Sequence, residues 1–400
     1  MSRDGNSRIL PISQAREGDR FPHLDTLRAV AIIFVLLVHL PIDENSWPTT
    51  LPRFFDLWSG VDLFFAISGF LITRSLAGFM QARALGRDWW PALRAFWIRR
   101  AFRLLPAAWL WLLLPLLLSL LIGPALLYPS ISGMAADALA AFLQIANVHS
   151  AGCWSSEAWR SHCGRGLGVS HYWSLSLEEQ FYLLLPILLL LLPRRLLIPA
   201  ILLVIVTLVP WHRPLFSPAW FFRVDGLLWG VVLGLFSLYS QSTFRIAGKL
   251  ARYHAGRMMT VALILLLGWL PTFGAEIVPG VSTAAGLALT SAALVWLAAC
   301  NVGIGSGSVL NWVSSRSYAL YLVHFPLYGA ARALAFPEPL LLQAWPDIVL
   351  FMLSTGLAIG LAAEMTYRLV EMPCRQYGRQ LARMPTQESA ESIEQMEPAR

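Results

Sequence analysis

The first apolar stretch of the chain carries three ionisable residues, Asp25, Arg28 and His39. An α-helix rises about 1.5 Å and turns about 100° per residue, so all three would share one face, with Arg28 and His39 about 16 Å apart. Ionisable groups rarely face lipid, and an imidazole can take a proton from a hydroxyl near neutral pH. The spacing predicts a polar cavity within a membrane bundle. The alternative is that Arg28 reaches the headgroups and His39 bonds to a neighbouring helix.

A basic pair later in the chain could bind a ligand that carries phosphate groups. Arg100 and Arg103 are three positions apart, which places both side chains on one face of a helix. Two guanidinium groups in this arrangement suit phosphate oxygens. The alternative is that the pair only anchors the end of a membrane helix on the side that attracts positive charge.

The segment that begins at His171 has the strongest local pattern of polar residues. His171, Ser174, Glu178 and Tyr182 follow one another at spacings of three or four, which predicts a polar stripe along one helix face. Glu179 is expected on a different face because it adjoins Glu178. The two carboxylates could take part in acid–base chemistry, or they could only complement the helix dipole.

Further candidates for the wall of the cavity come from other parts of the sequence. Asp62 opens the second apolar stretch and could bind a cation, bond to a histidine or only cap the helix. Ser68 lies beside a glycine in the middle of that stretch, where another backbone or a ligand could approach. Tyr321 and His324 share one face of a later stretch, and Trp173 precedes the glutamate pair. These residues together predict a substrate cavity lined by several helices.

Membrane helices must position these residues, because the chain is too apolar for a soluble domain. Of its 400 residues, 57% are hydrophobic and only 13% are charged. The net charge of +7 resides in certain loops, which argues against nucleic-acid binding. We predict an all-α, polytopic bundle of about ten transmembrane helices. The expected spans are 27–41, 61–79, 101–122, 171–193, 196–210, 218–239, 258–273, 281–300, 316–335 and 346–370.

The distribution of basic residues predicts the orientation of the bundle. Arginine and lysine concentrate before the first stretch, in alternate loops and after the last stretch, which predicts that both termini are cytoplasmic. The expected division is a flexible tail at 1–21, a transmembrane domain at 22–378 and a second flexible tail at 379–400. Residues 123–170 would lie outside, and 135–148 would form a short re-entrant or interfacial helix.

Two of the four cysteines lie in this predicted outer loop. Cys153 and Cys163 could form a disulfide on an oxidising face, or they could remain free thiols. The sequence shows neither the ligand spacing typical of a metal site nor the glycine loop typical of nucleotide binding. We therefore predict no metal.

Taken in order along the chain, the polar motifs resemble those of the acyltransferase 3 family of integral membrane acyltransferases. The family's motif of an arginine, ten residues and a histidine falls on Arg28 and His39, and its arginine–two residues–arginine motif falls on Arg100 and Arg103. Leu177 departs mildly from the pattern, since valine is more usual there. The order of the motifs is more specific than any one of them. The matching segments are 24–29 with His39, 60–73, 99–106, 173–182, 318–326 and 371–373.

The resemblance implies a membrane O-acyltransferase that moves an acyl group, usually acetyl, from cytoplasmic acyl-CoA to a hydroxyl of a cell-surface or exported glycan. Acyl-CoA would be a donor substrate and not a permanently bound cofactor. The polyanionic donor would be bound by Arg28, Arg100 and Arg103. The partners would be this donor, a carbohydrate acceptor and the lipid of a bacterial inner membrane, without nucleic acid. No second, esterase-like domain is expected.

Within that reaction, we hypothesise that His39 is the general base. A neighbouring acid would hold the tautomer of its imidazole, and the candidates are Asp25, Glu178 and Glu179. Transient acylation of His39 is a variant that the sequence leaves open. A membrane transporter or exporter of a glycan or small metabolite is the alternative from another functional class, since it too could use a charged cavity among about ten spans.

Overall fold

A computed structural model describes residues 21–40, 55–122, 131–160, 163–164, 169–239, 254–277, 279–305, 307–335 and 345–383. The described residues lie mainly in helices, and none of them forms a β-strand. The all-α prediction is therefore confirmed for this part of the chain. Of the predicted N-terminal tail at 1–21 only Phe21 is described. The C-terminal boundary at 378 falls inside a helix that continues to Leu381, and 384–400 lie outside the described residues.

Sixteen α-helices lie in the described ranges, and two of them differ from the predicted spans in an informative way. The first begins at Pro22, because proline is favoured at the start of a helix, and ends at Val38. The fourth runs without interruption through Pro106 and Pro115 and therefore includes Arg100 and Arg103. In chain order the helices are α1 Pro22–Val38, α2 Gly60–Ser75, α3 Ala77–Ala84, α4 Trp90–Ile122, α5 Ile131–Phe142, α6 Ala146–Ser155, α7 Glu157–Arg160, α8 Tyr172–Leu191, α9 Arg194–Leu208, α10 Asp225–Tyr239, α11 His254–Ile277, α12 Thr283–Ala299, α13 Ser308–Ser315, α14 Ser317–Ala335, α15 Trp345–Thr366 and α16 Met372–Leu381.

The described residues contain six helical stretches that are long and apolar enough to cross a membrane. The chain is accordingly an integral membrane protein. The count of about ten spans and the cytoplasmic location of both termini stay predictions. The six stretches are Leu57–Ala84, Trp90–Leu118, Tyr172–Leu191, Pro218–Tyr239, Ala255–Thr272 and Ile348–Leu381, with shorter apolar helices at Arg195–Leu208 and Thr283–Ala299.

Helix α2 lies at the centre of the bundle and packs closely along α10. Glycines make this approach possible: a Cβ atom on Gly69 would lie 2.1 Å from the carbonyl oxygen of Leu227, and one on Gly230 would lie 2.3 Å from that of Ala66. Both distances are far below van der Waals contact. The backbones of α2 and α10 therefore touch directly, as small residues permit in membrane bundles.

The segment predicted as one helix at 135–148 is divided in two. Helix α5 ends at Phe142 and α6 begins at Ala146, while Gln144 between them has a φ angle of 58°, in the left-handed region that interrupts a helix. Gln180 of α8 fixes this turn, because its Nε2 donates to the Gln144 carbonyl at 2.8 Å and to Asn147 Oδ1 at 2.8 Å. The prediction of a continuous helix was wrong, since these contacts come from a distant part of the chain.

A disulfide joins the end of α6 to the segment that follows it. Cys153 and Cys163 are bonded, with their Cα atoms 6.1 Å apart, as the sequence had suggested. Beside them, His149 Nε2 lies 2.7 Å from Asp137 Oδ1, so α5 and α6 are also linked by side chains. The Gln144 turn therefore belongs to a braced pair of helices.

Candidate active site

A polar cavity opens among α1, α2, α4, α8 and α14, and the empty space inside it and at its mouth is about 950 Å³. The α5–α6 turn contributes one wall through Gln144. Apolar residues of α2 and α4 form much of the remaining surface, as is common in ligand sites. The polar residues of the lining are Arg28, Ser68, Arg100, Arg103, Gln144, Ser174, Glu178, Glu179, Tyr182, Ser317, Tyr318 and Tyr321.

The centre of the cavity is a network of hydrogen bonds between α2, α4 and α8. Arg100 Nη2 lies 3.6 Å from Glu178 Oε1 and donates to the hydroxyl of Tyr182. The hydroxyl groups of Ser68 and Tyr182 are 2.8 Å apart, and both contact the Glu178 carboxylate. The predicted stripe on α8 thus meets the predicted basic pair on α4.

The mouth of this network is basic. Arg28 and Arg103 line the cavity together with Arg100, so three guanidinium groups face one space. Asp25 does not line the cavity; its carboxylate accepts a hydrogen bond from Arg28 Nη1 at 3.2 Å and is 41% exposed. Asp25 therefore orients Arg28 and has no described contact with His39.

The two adjacent glutamates both line the cavity, which corrects the prediction that Glu178 and Glu179 occupy different faces. Neighbouring helical residues are separated by about 100°, and a cavity that wraps around one side of α8 can accommodate both. The carboxylates lie on the same cavity as the three arginines. They partly compensate the positive charge there.

The histidines form a separate cluster at the end of α1. His39 follows α1, with its Nδ1 2.8 Å from the carbonyl oxygen of Val35 and 3.4 Å from Nε2 of His324. The ring of His171 lies 5.3 Å from that of His324, and Phe325 stacks on His171 at 5.1 Å. We call His39, His171, His324 and Phe325 the histidine cluster.

The contacts of His39 determine its tautomer. A carbonyl oxygen can only accept, so Nδ1 of His39 carries a hydrogen that it donates to Val35. In the neutral ring Nε2 is then unprotonated and available as a base. A backbone carbonyl one turn earlier in the helix therefore does what we had assigned to Asp25, Glu178 or Glu179. None of these acids is among the described partners of His39.

The histidine cluster is not part of the cavity lining, contrary to the prediction that Arg28 and His39 share one cavity. Tyr321 and Ser174 lie at the boundary: the Tyr321 hydroxyl is 2.6 Å from Ser174 Oγ and donates to the His171 carbonyl at 2.9 Å. The Tyr321 ring is 5.6 Å from that of His324. His171 and His324, expected in the cavity wall, therefore lie behind this tyrosine.

Asp62 and Trp173 also lie outside the cavity. Asp62 Oδ2 accepts from Arg223 Nη1 at 3.0 Å, and both side chains are buried. An unpaired carboxylate within the membrane would be costly, and this pairing compensates it. Trp173 packs near the Arg223 guanidinium, 5.5 Å from its ring centre. The assignment of both residues to the substrate cavity was wrong, because Arg223 comes from a loop far along the chain.

Two cavity residues had not been identified from the sequence. Gln144 lines the cavity, and its Oε1 is buried without a hydrogen-bond partner among the described residues. Tyr318 also lines it and donates to the Leu104 carbonyl at 2.8 Å. A lone amide in an otherwise apolar predicted helix was the only local sign of Gln144.

Comparison with known proteins agrees with this arrangement of motifs. The family model of the acyltransferase 3 group, described as an acyltransferase domain, matches residues 21–365. The chain belongs to this family. Arg28, His39, Arg100, Arg103 and Glu178 all lie within the matched range. No solved structure matches the chain.

Three named relatives represent the similarity to curated members of this family. The chain is 26% identical over 379 residues to the peptidoglycan O-acetyltransferase OatA of Listeria monocytogenes, covering 89% of this chain and 56% of OatA. It is 27% identical to a putative O-acetyltransferase of Staphylococcus aureus, over 89% and 58% of the two chains. It is 27% identical to the putative peptidoglycan O-acetyltransferase YrhL of Bacillus subtilis, over 89% and 55%. The chain thus spans a little over half the length of these relatives.

Proposed function

We propose that this chain is a bacterial inner-membrane O-acyltransferase that moves an acetyl group from cytoplasmic acetyl-CoA to a hydroxyl of a cell-surface or exported glycan. Membership of the acyltransferase 3 family supports the transfer reaction. The names of the relatives support acetyl as the group and a carbohydrate as the acceptor, since two of them are named for peptidoglycan. The observation that carries the proposal is the cavity lined by three arginines.

Coenzyme A carries several phosphate charges, and the cavity offers it three guanidinium groups. Arg28, Arg100 and Arg103 all line this space. Guanidinium groups form paired, charge-assisted hydrogen bonds with phosphate oxygens. The apolar walls from α2 and α4 would accommodate the less polar arm that ends in the thioester. The donor would therefore enter at the arginines and extend towards Tyr321.

Proton transfer in this proposal belongs to His39. Its unprotonated Nε2 takes the proton of the acceptor hydroxyl while the hydroxyl oxygen attacks the carbonyl carbon of the thioester. The carbon–sulfur bond breaks, the new ester bond remains, and the departing thiolate takes the proton from the imidazolium. Tyr321 stands between the cavity and the cluster, so its ring must turn aside when the thioester and His39 meet.

The acceptor distinguishes this proposal from a transport function. Cell-envelope glycans isolated from cells with and without the chain can be compared by mass spectrometry. We expect acetyl esters that depend on the chain and disappear in cells carrying His39→Ala at the same membrane level. An acceptor that is relocated but chemically unchanged would instead identify a transporter. Acetylation that persists with His39→Ala would remove the assigned base.

A further inference from the structure

The second imidazole of the histidine cluster, His324, has a hydrogen-bonding pattern that its contacts determine. Its Nδ1 lies 2.6 Å from the carbonyl oxygen of Tyr321, and a carbonyl oxygen can only accept. Nδ1 therefore carries a hydrogen. In the neutral ring, Nε2 then carries none and can only accept.

The acceptor nitrogen of His324 faces the donor nitrogen of His39. The distance from His324 Nε2 to His39 Nδ1 is 3.4 Å, and His324 is completely buried. The Nδ1 hydrogen of His39 thus has two acceptors, the Val35 carbonyl at 2.8 Å and the His324 imidazole. Both acceptors favour the tautomer in which Nε2 of His39 is unprotonated.

We propose that His324 is a positioning residue for acyl transfer. It holds His39 in the tautomer that leaves Nε2 free, and it stabilises the imidazolium that forms when His39 takes the hydroxyl proton. The proposal rests on the proposed function of His39 as the base. A hydrogen bond strengthens when its donor becomes charged, so the contact is stronger in the transition state than in the resting enzyme. Loss of His324 therefore lowers kcat more than it changes KM for the donor.

The packing around the pair explains why His324 can hold a defined geometry. Phe325 lies against both rings, 4.7 Å from the His39 ring and 5.2 Å from the His324 ring. The next turn of α14 makes an independent contact with α1, in which the Tyr328 hydroxyl donates to the Leu36 carbonyl at 3.1 Å. Tyr328 therefore provides a control for helix packing that does not involve the imidazole contact.

The test uses two substitutions of nearly equal shape, His324→Gln and His324→Met. Glutamine can place an amide oxygen near the position of Nε2, whereas methionine cannot accept a hydrogen bond of similar strength. Each full-length variant is expressed in membranes and quantified, and the membranes are permeabilised with detergent. Transfer from radiolabelled acetyl-CoA to added cell-envelope glycan gives kcat and the acetyl-CoA KM. Tyr328→Phe serves as the packing control.

We expect His324→Met to lower kcat about tenfold, with the acetyl-CoA KM within about twofold of the wild type, in line with loss of one hydrogen bond to a charged group. His324→Gln and Tyr328→Phe should remain within about threefold of wild-type kcat. Equal kcat values for the glutamine and methionine variants would overturn the proposal, as would failure of both variants to insert. Absence of transfer by the wild type would instead overturn the proposed function.

Discussion

The cavity and the histidine cluster differ in how their polar groups are compensated. In the cavity, arginines and glutamates face each other across empty space, as in the 3.6 Å pair of Arg100 and Glu178. In the cluster, imidazoles pack against Phe325 and bond to backbone carbonyls and to each other. Charged groups that line open space suit the binding of a charged ligand. Rings with a fixed tautomer suit proton transfer. Binding and chemistry are thus assigned to different regions.

The boundary between the two regions consists of Tyr321 and Ser174. Their hydroxyl oxygens are 2.6 Å apart, and the Tyr321 hydroxyl also reaches the His171 carbonyl. This contact keeps the cavity and the cluster separate in the structure described here. Substitutions on the two sides should therefore affect different kinetic parameters.

The largest effect on transfer is expected from the cluster. His39→Ala removes the general base and should lower kcat about 10²-fold to 10⁴-fold, the usual contribution of such a group. The amount of inserted protein should not change, because His39 lies after the end of α1. Transfer of label from acetyl-CoA to cell-envelope glycan measures the loss. Wild-type turnover by this variant would mean that the cluster is not the chemical site.

The next largest effect is expected from the basic part of the cavity. The double substitution Arg100→Ala and Arg103→Ala should raise the acetyl-CoA KM about 10-fold to 100-fold, because charge-assisted hydrogen bonds to the donor are lost. Arg368→Ala is the matched control, since that arginine is 71% exposed and pairs with Glu364 away from the cavity. An unchanged KM in the double variant would remove the donor from this cavity.

A smaller effect on binding is expected from Gln144. Its unpartnered amide oxygen is in the cavity wall, so Gln144→Met should raise the acetyl-CoA KM about threefold to tenfold while kcat stays the same. Leu143→Met, at an exposed neighbouring position, is the control. A fall in kcat at constant KM would instead place Gln144 with the chemical groups.

The smallest effect on transfer is expected from Asp62. Asp62→Asn leaves the buried Arg223 charge unpaired and should reduce the free energy of unfolding by about 3–5 kcal/mol. The kinetic constants of the protein that remains folded should match the wild type, since Asp62 is not in the cavity. Thermal unfolding in detergent, measured beside Arg368→Ala, gives the stability change. A raised KM with unchanged unfolding would return Asp62 to the substrate site.

Helical periodicity predicted the parts of the site that depend on local geometry. The pairing of Arg100 with Arg103, and the stripe of Ser174, Glu178 and Tyr182, follow from residues three or four apart on one helix. The structure brings these two groups together on one cavity. The all-helical class followed from composition in the same way.

Contacts between distant segments could not be read from the sequence. Asp62 pairs with Arg223, which is 161 positions away, and His39 meets His324, which is 285 positions away. The turn at Gln144 depends on Gln180 of another helix. Tyr321 separates Arg28 from His39 only because α14 packs against the end of α1. In each case tertiary packing decides where a side chain lies.

The most direct test of the separation is the affinity for acetyl-CoA of two variants that lie on opposite sides of Tyr321. Isothermal titration calorimetry of the purified, full-length protein would compare His39→Ala with the Arg100→Ala, Arg103→Ala double variant. The account predicts wild-type affinity in the first and an affinity reduced about 10-fold to 100-fold in the second. Equal loss of affinity in both variants, or wild-type affinity in the arginine variant, would contradict it.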